Sequence, residues 1–260
     1  AGIVNLARQQ EGSPIENVVA VTLPVYRDEL TKNQSSSASK AHAVGEAFDM
    51  DVTEIDLTDL HKLLKRTVDE ALGVVGDDWA GGQAVALART APLYYITNLE
   101  KQLGRPAILC GTTNRDEGAY LGYVGKASDG MVDVQLISDL HKSEVRALAA
   151  HIGVPQEIID AAPTGDMYDG REDEQVFGAS YDYVELLLLL KSLPGDLADL
   201  YLAKLSPEDR SRTQEGLDNL EELHRFNGHK YNVGSPAKHL DVMESGVPGG
   251  WPYSRIKVGR

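Results

Sequence analysis

At 260 residues, with 42% hydrophobic and 25% charged side chains, the chain suits one sizeable α/β domain carrying a helical extension. Forty acidic against 25 basic residues give a net charge of −15, which excludes the dominant basic face that a nucleic-acid backbone requires. The single cysteine excludes an internal disulfide and fits a reducing, cytoplasmic compartment; the longest apolar run, Val184–Lys191, is far too short to cross a bilayer, and no signal peptide is visible.

Ile3, Leu6 and Ala7 fall at helical spacing, so the chain opens on a helix. Asn17–Leu23 reads as a central parallel strand ended by Pro24. Val25–Ser39 is polar and serine-rich and predicts a mobile loop. Next comes a helix over Ala38–Phe48, with Ala41, Val44, Ala47 and Phe48 on one face, and then Val52–Asp56, which alternates as an edge strand does. Helices follow over Thr58–Leu72 and Gly82–Leu103, with Gly81-Gly82 in the loop before the second. Pro106–Cys110 reads as a buried strand with Cys110 packed in the core. Ser138 or Asp139 caps a helix running to His151, with Val145, Leu148 and Ile152 inward and Lys142 in its first turn.

After Pro163 the strand signals fade, and helices are expected near Tyr181–Lys191 and Pro207–Phe226. Strands separated by helices predict an α/β fold, a doubly wound parallel sheet with right-handed crossovers in which Val18–Leu23, Val52–Asp56 and Ala107–Cys110 are adjacent. The division expected is an α/β domain over 1–180 and a helical C-terminal extension and tail over 181–260.

The stretch from Cys110 to Gly130 carries the most chemistry. A Gly-Thr-Thr turn follows the carboxyl end of a strand, where open α/β sheets bind ligands. Glu117 places a hard carboxylate on that rim, suited to a magnesium ion shared with phosphates. Lys126 and Asp129 offer opposite charges on a glycine-bordered loop. This segment resembles the ammonia-dependent NAD synthetases, members of the N-type ATP pyrophosphatase group. Asp133–Lys142, Pro163–Met167, Gly170–Tyr181 and His229-Lys230 resemble further motifs of that family, in the right order. The family's Ser-Gly-Gly-x-Asp-Ser phosphate loop occurs nowhere in the sequence, so residue 1 is expected to lie just downstream of that loop and its strand.

The resemblance implies an adenine nucleotide alpha-hydrolase-like (Rossmann-like) fold. It also implies an ATP-dependent amide ligase. ATP adenylates a carboxylate, that of deamido-NAD in the family, with loss of pyrophosphate, and ammonia then displaces AMP to give NAD. On that resemblance Glu117 is the Mg2+ ligand and, with Lys142, a catalytic residue. Thr112, Lys142 and Thr164 contact ATP. Lys126, Asp133, His229 and Lys230 hold the pyridine-nucleotide substrate. A lysine in a helix's first turn opposes the helix dipole, which suits Lys142 to neutralising a bound anion.

Two departures fall on the substrate side. Aligning on Tyr94 puts Leu87 where the family has a substrate-contacting arginine, with Arg89 at the second arginine position. The loop from Glu117 to Lys126 is one residue longer than the family pattern. A same-fold amidotransferase acting on another carboxylate, and a non-catalytic nucleotide-binding homologue, are the competing expectations. The family implies a homodimer, to which the apolar Tyr94-Tyr95-Ile96 segment would contribute. The tail Val247–Tyr253, with Trp251, matches nothing in the pattern.

Overall fold

A computed structural model of the chain describes residues 1–26, 31–165 and 171–231, with the backbone alone over 31–35 and at 231. Asp166, Met167 and Gly170 of the quoted motifs and the Trp251 tail lie outside the described residues.

Helix α1 spans Gly2–Arg8. Ile3, Leu6 and Ala7 are half-buried; Gly2 and Asn5 are buried, and Asn5 Nδ2 donates to the Phe48 carbonyl. A short strand β1, Ala20–Thr22, pairs in parallel with β2, Val52–Glu54, in the register Ala20↔Val52. Helix α2 (Thr31–Ala47) joins them. It takes in much of the segment expected as loop, because Thr31–Val44 has neither glycine nor proline and its serines tolerate a helix. Its inward residues are Ala38 and Gly45, with Phe48 just beyond, while Ala47 is exposed.

Helix α3 (Thr58–Leu72) forms where expected. Helix α4 (Asp78–Gln102) begins four residues before Gly82, because Asp77 caps it by accepting the Ala80 amide at 2.9 Å. Gly81 and Gly82 are therefore buried helical positions rather than loop, and the Gly81 carbonyl meets His61 Nε2 of α3 at 3.1 Å.

Strand β3 is only Cys110–Gly111 and pairs in parallel with β4, Val134–Gln135, a strand the sequence pattern does not announce. Among the described residues no ladder joins β1–β2 to β3–β4, so of the three strands expected side by side only the first two pair. Residues 17–19 and 106–108 have strand composition but belong to no ladder among the described residues, whereas the Leu109 carbonyl already accepts the Asp133 and Val134 amides. Such segments stay outside a ladder whatever their propensity, and Ile108 is accordingly 65% exposed. Cys110 is half-buried rather than enclosed.

A single π-helical turn, Asp116–Leu121, follows β3; it ends at Gly122, whose φ of 61° few other residues adopt. Helix α5 spans Lys142–Ile152, with Val145, Leu148 and Ile152 half-buried. Its cap is not Ser138 or Asp139. Three carboxylates take its first amides: Glu144 from His141 (2.8 Å), Asp116 from Lys142 (2.7 Å) and Glu185 from Ser143 (3.0 Å). Negative charge at that end also suits the helix dipole.

Short helices α6 (Gln156–Ile159) and α7 (Asp173–Phe177) lead to α8 (Tyr181–Ser192), α9 (Gly195–Ala203) and α10 (Pro207–Asn227), which ends in a 3-10 turn over Gly228–Tyr231. The apolar interior falls into two clusters. Leu23, Val25, Leu57 and Val85 pack beside β1 and β2. Leu121, Phe177, Tyr181, Val184, Leu187, Leu217 and Leu220 fasten the π-turn to α7, α8 and α10. No described helix is long and apolar enough to cross a membrane.

Candidate active site

The rim beyond β3 is set by a close approach. Gly111 leaves room for the Gln135 side chain, which a Cβ there would meet at 2.3 Å, and Gln135 Oε1 then accepts the Thr113 amide at 3.2 Å. Thr112, between them, is exposed on that rim. Asn114 is buried and clasps Glu117: its Oδ1 accepts the Glu117 amide at 3.0 Å, and its Nδ2 donates to Glu117 Oε1 at 2.7 Å. The π-turn thus begins with the candidate metal ligand already fixed.

Lys142, the first residue of α5, donates from Nζ to Glu117 Oε1 at 3.1 Å and lies 4.8 Å over the Tyr181 ring. Its backbone amide is held by the fully buried Asp116, which also meets His141 Nδ1 at 2.6 Å. Successive acids, Asp116 and Glu117, therefore grip successive residues, His141 and Lys142. The two residues expected to be catalytic are brought into direct contact.

Behind them is a buried network. The Tyr181 hydroxyl lies 3.1 Å from Glu117 Oε1 and 2.9 Å from Asp173 Oδ2, and Tyr123 reaches Asp173 Oδ1 at 3.3 Å. One hydroxyl proton serves only one of two carboxylates at a time. Burial, then the charge of Glu117, push the Asp173 carboxyl above its ordinary range against the pull of Tyr181 and Lys142. Burial also raises Asp116, Tyr123 and Tyr181. Two carboxylates facing one ammonium leave excess negative charge among oxygen donors, a donor set that fits a hard cation completed by phosphate oxygens.

Asp116, His141 and Glu185 form a different convergence of possible ligands, but both Asp116 oxygens and both Glu185 oxygens are engaged in capping α5. That cluster is a helix cap.

The other expected residues are spread around this centre. Thr164 is exposed and bridges to Glu172; the Asp173 amide, bonded to the Pro163 carbonyl at 3.0 Å, brings that loop beside the network. Lys126 is half-buried on the Gly125–Gly130 loop, and Asp133 Oδ2 accepts the Leu109 amide at 2.7 Å, tying that loop to the approach to β3. Lys230 Nζ donates to the Gly122 carbonyl at 3.0 Å; burial lowers its pKa, and Asp129 and Lys126 are close enough to act on it. His229 is exposed, with Nδ1 3.3 Å from the Phe226 carbonyl. Asn114, Asp116, Tyr123, Asp173 and Tyr181 were not singled out from the sequence. All five lie inside the quoted motifs, but nothing in their spacing marks them as meeting.

A family model described as NAD synthase matches residues 5–230. The chain belongs to the NAD synthase family. It is 32% identical over 173 residues to the NH(3)-dependent NAD(+) synthetase of Methanococcoides burtonii, covering 66% of this chain and 61% of that protein. The chain thus spans about three-fifths of the length of the curated relatives it matches. Among solved structures, the NMN synthetase of Francisella tularensis superposes with a TM-score of 0.62 at 22% identity, over 85% of this chain and 77% of that one. The NH3-dependent NAD synthetase of Campylobacter jejuni gives 0.61 at 18% identity, over 92% and 83%. These likenesses establish the α/β fold with parallel strands.

In this NAD synthase family member the two positions aligned with the family's arginines take definite places. Leu87 is 48% exposed on α4. Arg89 turns the other way and donates from Nε to the Leu23 carbonyl at 3.1 Å, just past the end of β1.

Proposed function

We propose that this protein is an ATP-dependent amide ligase that adenylates a carboxylate, that of deamido-NAD, and displaces AMP with ammonia to form NAD. The observation that carries this reading is the Glu117–Lys142 pair beyond β3, held in place by Asn114, Asp116 and Tyr181. Adenylation gathers negative charge on the transferring phosphorus and on departing pyrophosphate, and preorganised cations stabilise that charge most effectively. Lys142 supplies a point charge whose position is set by its helix cap. Thr112 and Thr164 are exposed donors suited to holding ATP. Glu117, with Asp173 behind it, would hold Mg2+, which neutralises phosphate charge when bound. Lys126 and Lys230, with Asp133 anchoring the segment after the Lys126 loop, would take the substrate's own phosphates and carboxylate, and exposed His229 would join them.

The α3 face bearing Leu60, Leu63, Leu64, Val68 and Leu72, with exposed Tyr95 and Leu99 on α4, supports a homodimer formed through these helices. The lone cysteine suits a reducing, cytoplasmic setting.

A second reading, a different carboxylate, is favoured by one observation. Leu87 brings no charge where the family has its substrate-contacting arginine, and Arg89 points the Nε edge of its guanidinium at the Leu23 carbonyl. The fold leaves the acid open, since one superposing structure is an NMN synthetase and the other an NAD synthetase. A non-catalytic homologue is the third.

The test is to supply deamido-NAD, ATP, magnesium and ammonia to the full-length protein and measure NAD and AMP. Equal formation of both supports the first reading. ATP–pyrophosphate exchange that starts only when another carboxylate is added would establish the second, and no exchange with any acid the third.

A further inference from the structure

The last turns of α10 run along the end of the π-turn. Glu221, His224, Asn227 and Lys230 recur every three residues, and the 3-10 turn, with three residues per turn, keeps Lys230 in line with Asn227. Tyr120 donates its hydroxyl proton to Glu221 at 2.7 Å and stacks on the His224 ring at 3.9 Å. His224 Nδ1 faces the Tyr120 carbonyl, so that nitrogen carries the proton. Asn227 Nδ2 donates to the Leu121 carbonyl at 2.9 Å, and Lys230 Nζ to the Gly122 carbonyl at 3.0 Å.

Three consecutive carbonyls at the end of the π-turn are thus taken by three successive side chains from one face of α10. Helix ends leave such carbonyls without partners, and π-helical turns are rare and irregular, so an outside hold matters here. Asn227 and Leu121 are both buried, so water cannot stand in for that bond. The turn is also gripped at its start, where Asp116 holds α5. Between the two grips lies Glu117, whose own carbonyl accepts the Gly122 and Tyr123 amides. A slip of the last turn therefore moves the Glu117 peptide.

We propose that α10 is a positioning element for Glu117: Asn227 and His224, with Lys230 as a third anchor, fix the π-turn so that the Glu117 carboxylate faces Lys142 and Tyr181. Neither Asn227 nor His224 touches reacting atoms. The inference rests on the reading of Glu117 as a metal ligand.

The test uses Asn227→Asp, which keeps the shape but turns the donor amide into a carboxylate facing a carbonyl. Hydrogen exchange at the Gly122 and Tyr123 amides and Mn2+ binding with ATP present, followed by electron spin resonance, are both read. Exchange is expected to quicken about tenfold or more at those amides but not within α5, and Mn2+ binding to weaken about tenfold, one decade of affinity. In a Glu117→Gln background the same change should weaken Mn2+ binding no further, which a general loss of stability would not reproduce. His224→Phe keeps the ring on Tyr120 but removes the donor; it covers the case in which Asn227→Asp does not fold, and should act in the same direction with smaller size. Unchanged exchange, unchanged Mn2+ affinity, or effects that add to those of Glu117→Gln would overturn the proposal. Should the unaltered protein fail to bind Mn2+, the functional reading of Glu117 falls, and the exchange rates alone decide whether α10 holds the turn.

Discussion

Around the π-turn, Leu121, Val184 and Leu220 are closed off from solvent, and the polar groups among them are paired through Tyr181, Asp173 and Asn227. On α3 the arrangement is reversed. Its one buried residue is His61, while Leu63 is 51% and Leu72 72% exposed. Both regions are apolar in sequence, and only one is spent on the inside of this chain. Burial by α8 and α10 gives the first region a rigid frame on which charged groups can be held apart from water. The second keeps an apolar surface of the kind that other macromolecules cover.

The sharpest way to break this contrast is at the charged centre itself. Glu117→Gln preserves shape and the Asn114 clasp but removes the charge opposite Lys142. ATP–pyrophosphate exchange should fall more than about hundredfold, with the melting temperature little changed. Near-normal exchange at saturating magnesium would remove Glu117 from the chemistry.

The next largest effect concerns packing. Leu220→Ala empties a fully enclosed site between α8, α10 and the π-turn and should cost about 2–5 kcal/mol. Leu64→Ala, on the exposed face of α3, should change monomer stability by no more than about 0.5 kcal/mol. Urea titration of both variants checks the contrast; equal losses would mean that α3 is buried in the folded monomer.

The placement of Lys142 in the first turn of a helix was legible in the sequence; its contact with Glu117 was not, because residues 25 apart share no local periodicity. Most of the longer helices were legible too, since propensity and turn residues are local, although α2 and α4 begin earlier than expected and α9 was not foreseen. The cap of α5 was not: its acids come from residues 116, 144 and 185, two of them far along the chain. Strand β4 was hidden because two residues carry no periodicity. The exposed face of α3 was hidden for another reason, since an amphipathic pattern announces a face to be covered without saying by what. Tyr181 and Asp173 sat within a quoted motif, yet only folding shows them sharing a hydroxyl.

A smaller effect should follow from pH. Burial raises the folded-state pKa of Asp173 above the ordinary aspartate value. In the window between the ordinary value and the raised one, the folded state binds more protons than the unfolded state, so this group's contribution to stability is present in acid and is lost as pH rises through the folded pKa. Asp173→Asn removes that dependence while keeping an acceptor for Tyr123 or Tyr181. The stability of the unaltered protein relative to the variant should therefore fall from about pH 4 toward neutrality. A difference that grew with pH would mean that Lys142, not burial, governs Asp173.

The smallest change in monomer stability should accompany the largest change in assembly. Leu64 and Val68 lie one helical turn apart on α3 and are 41% and 45% exposed. Lysine at both positions adds two charges to a surface already in water, so the monomer should keep its stability to within about 0.5 kcal/mol per site. If that face meets its own copy across a two-fold axis, the same two changes place four lysines in one apolar interface, because each substitution occurs twice. Desolvating and crowding like charges should shift the equilibrium wholly to monomer at micromolar concentration. Light scattering on the parent and the doubly substituted protein reads this directly. A parent already monomeric, or a variant that stays dimeric, would mean that the uncovered face of α3 serves some other contact.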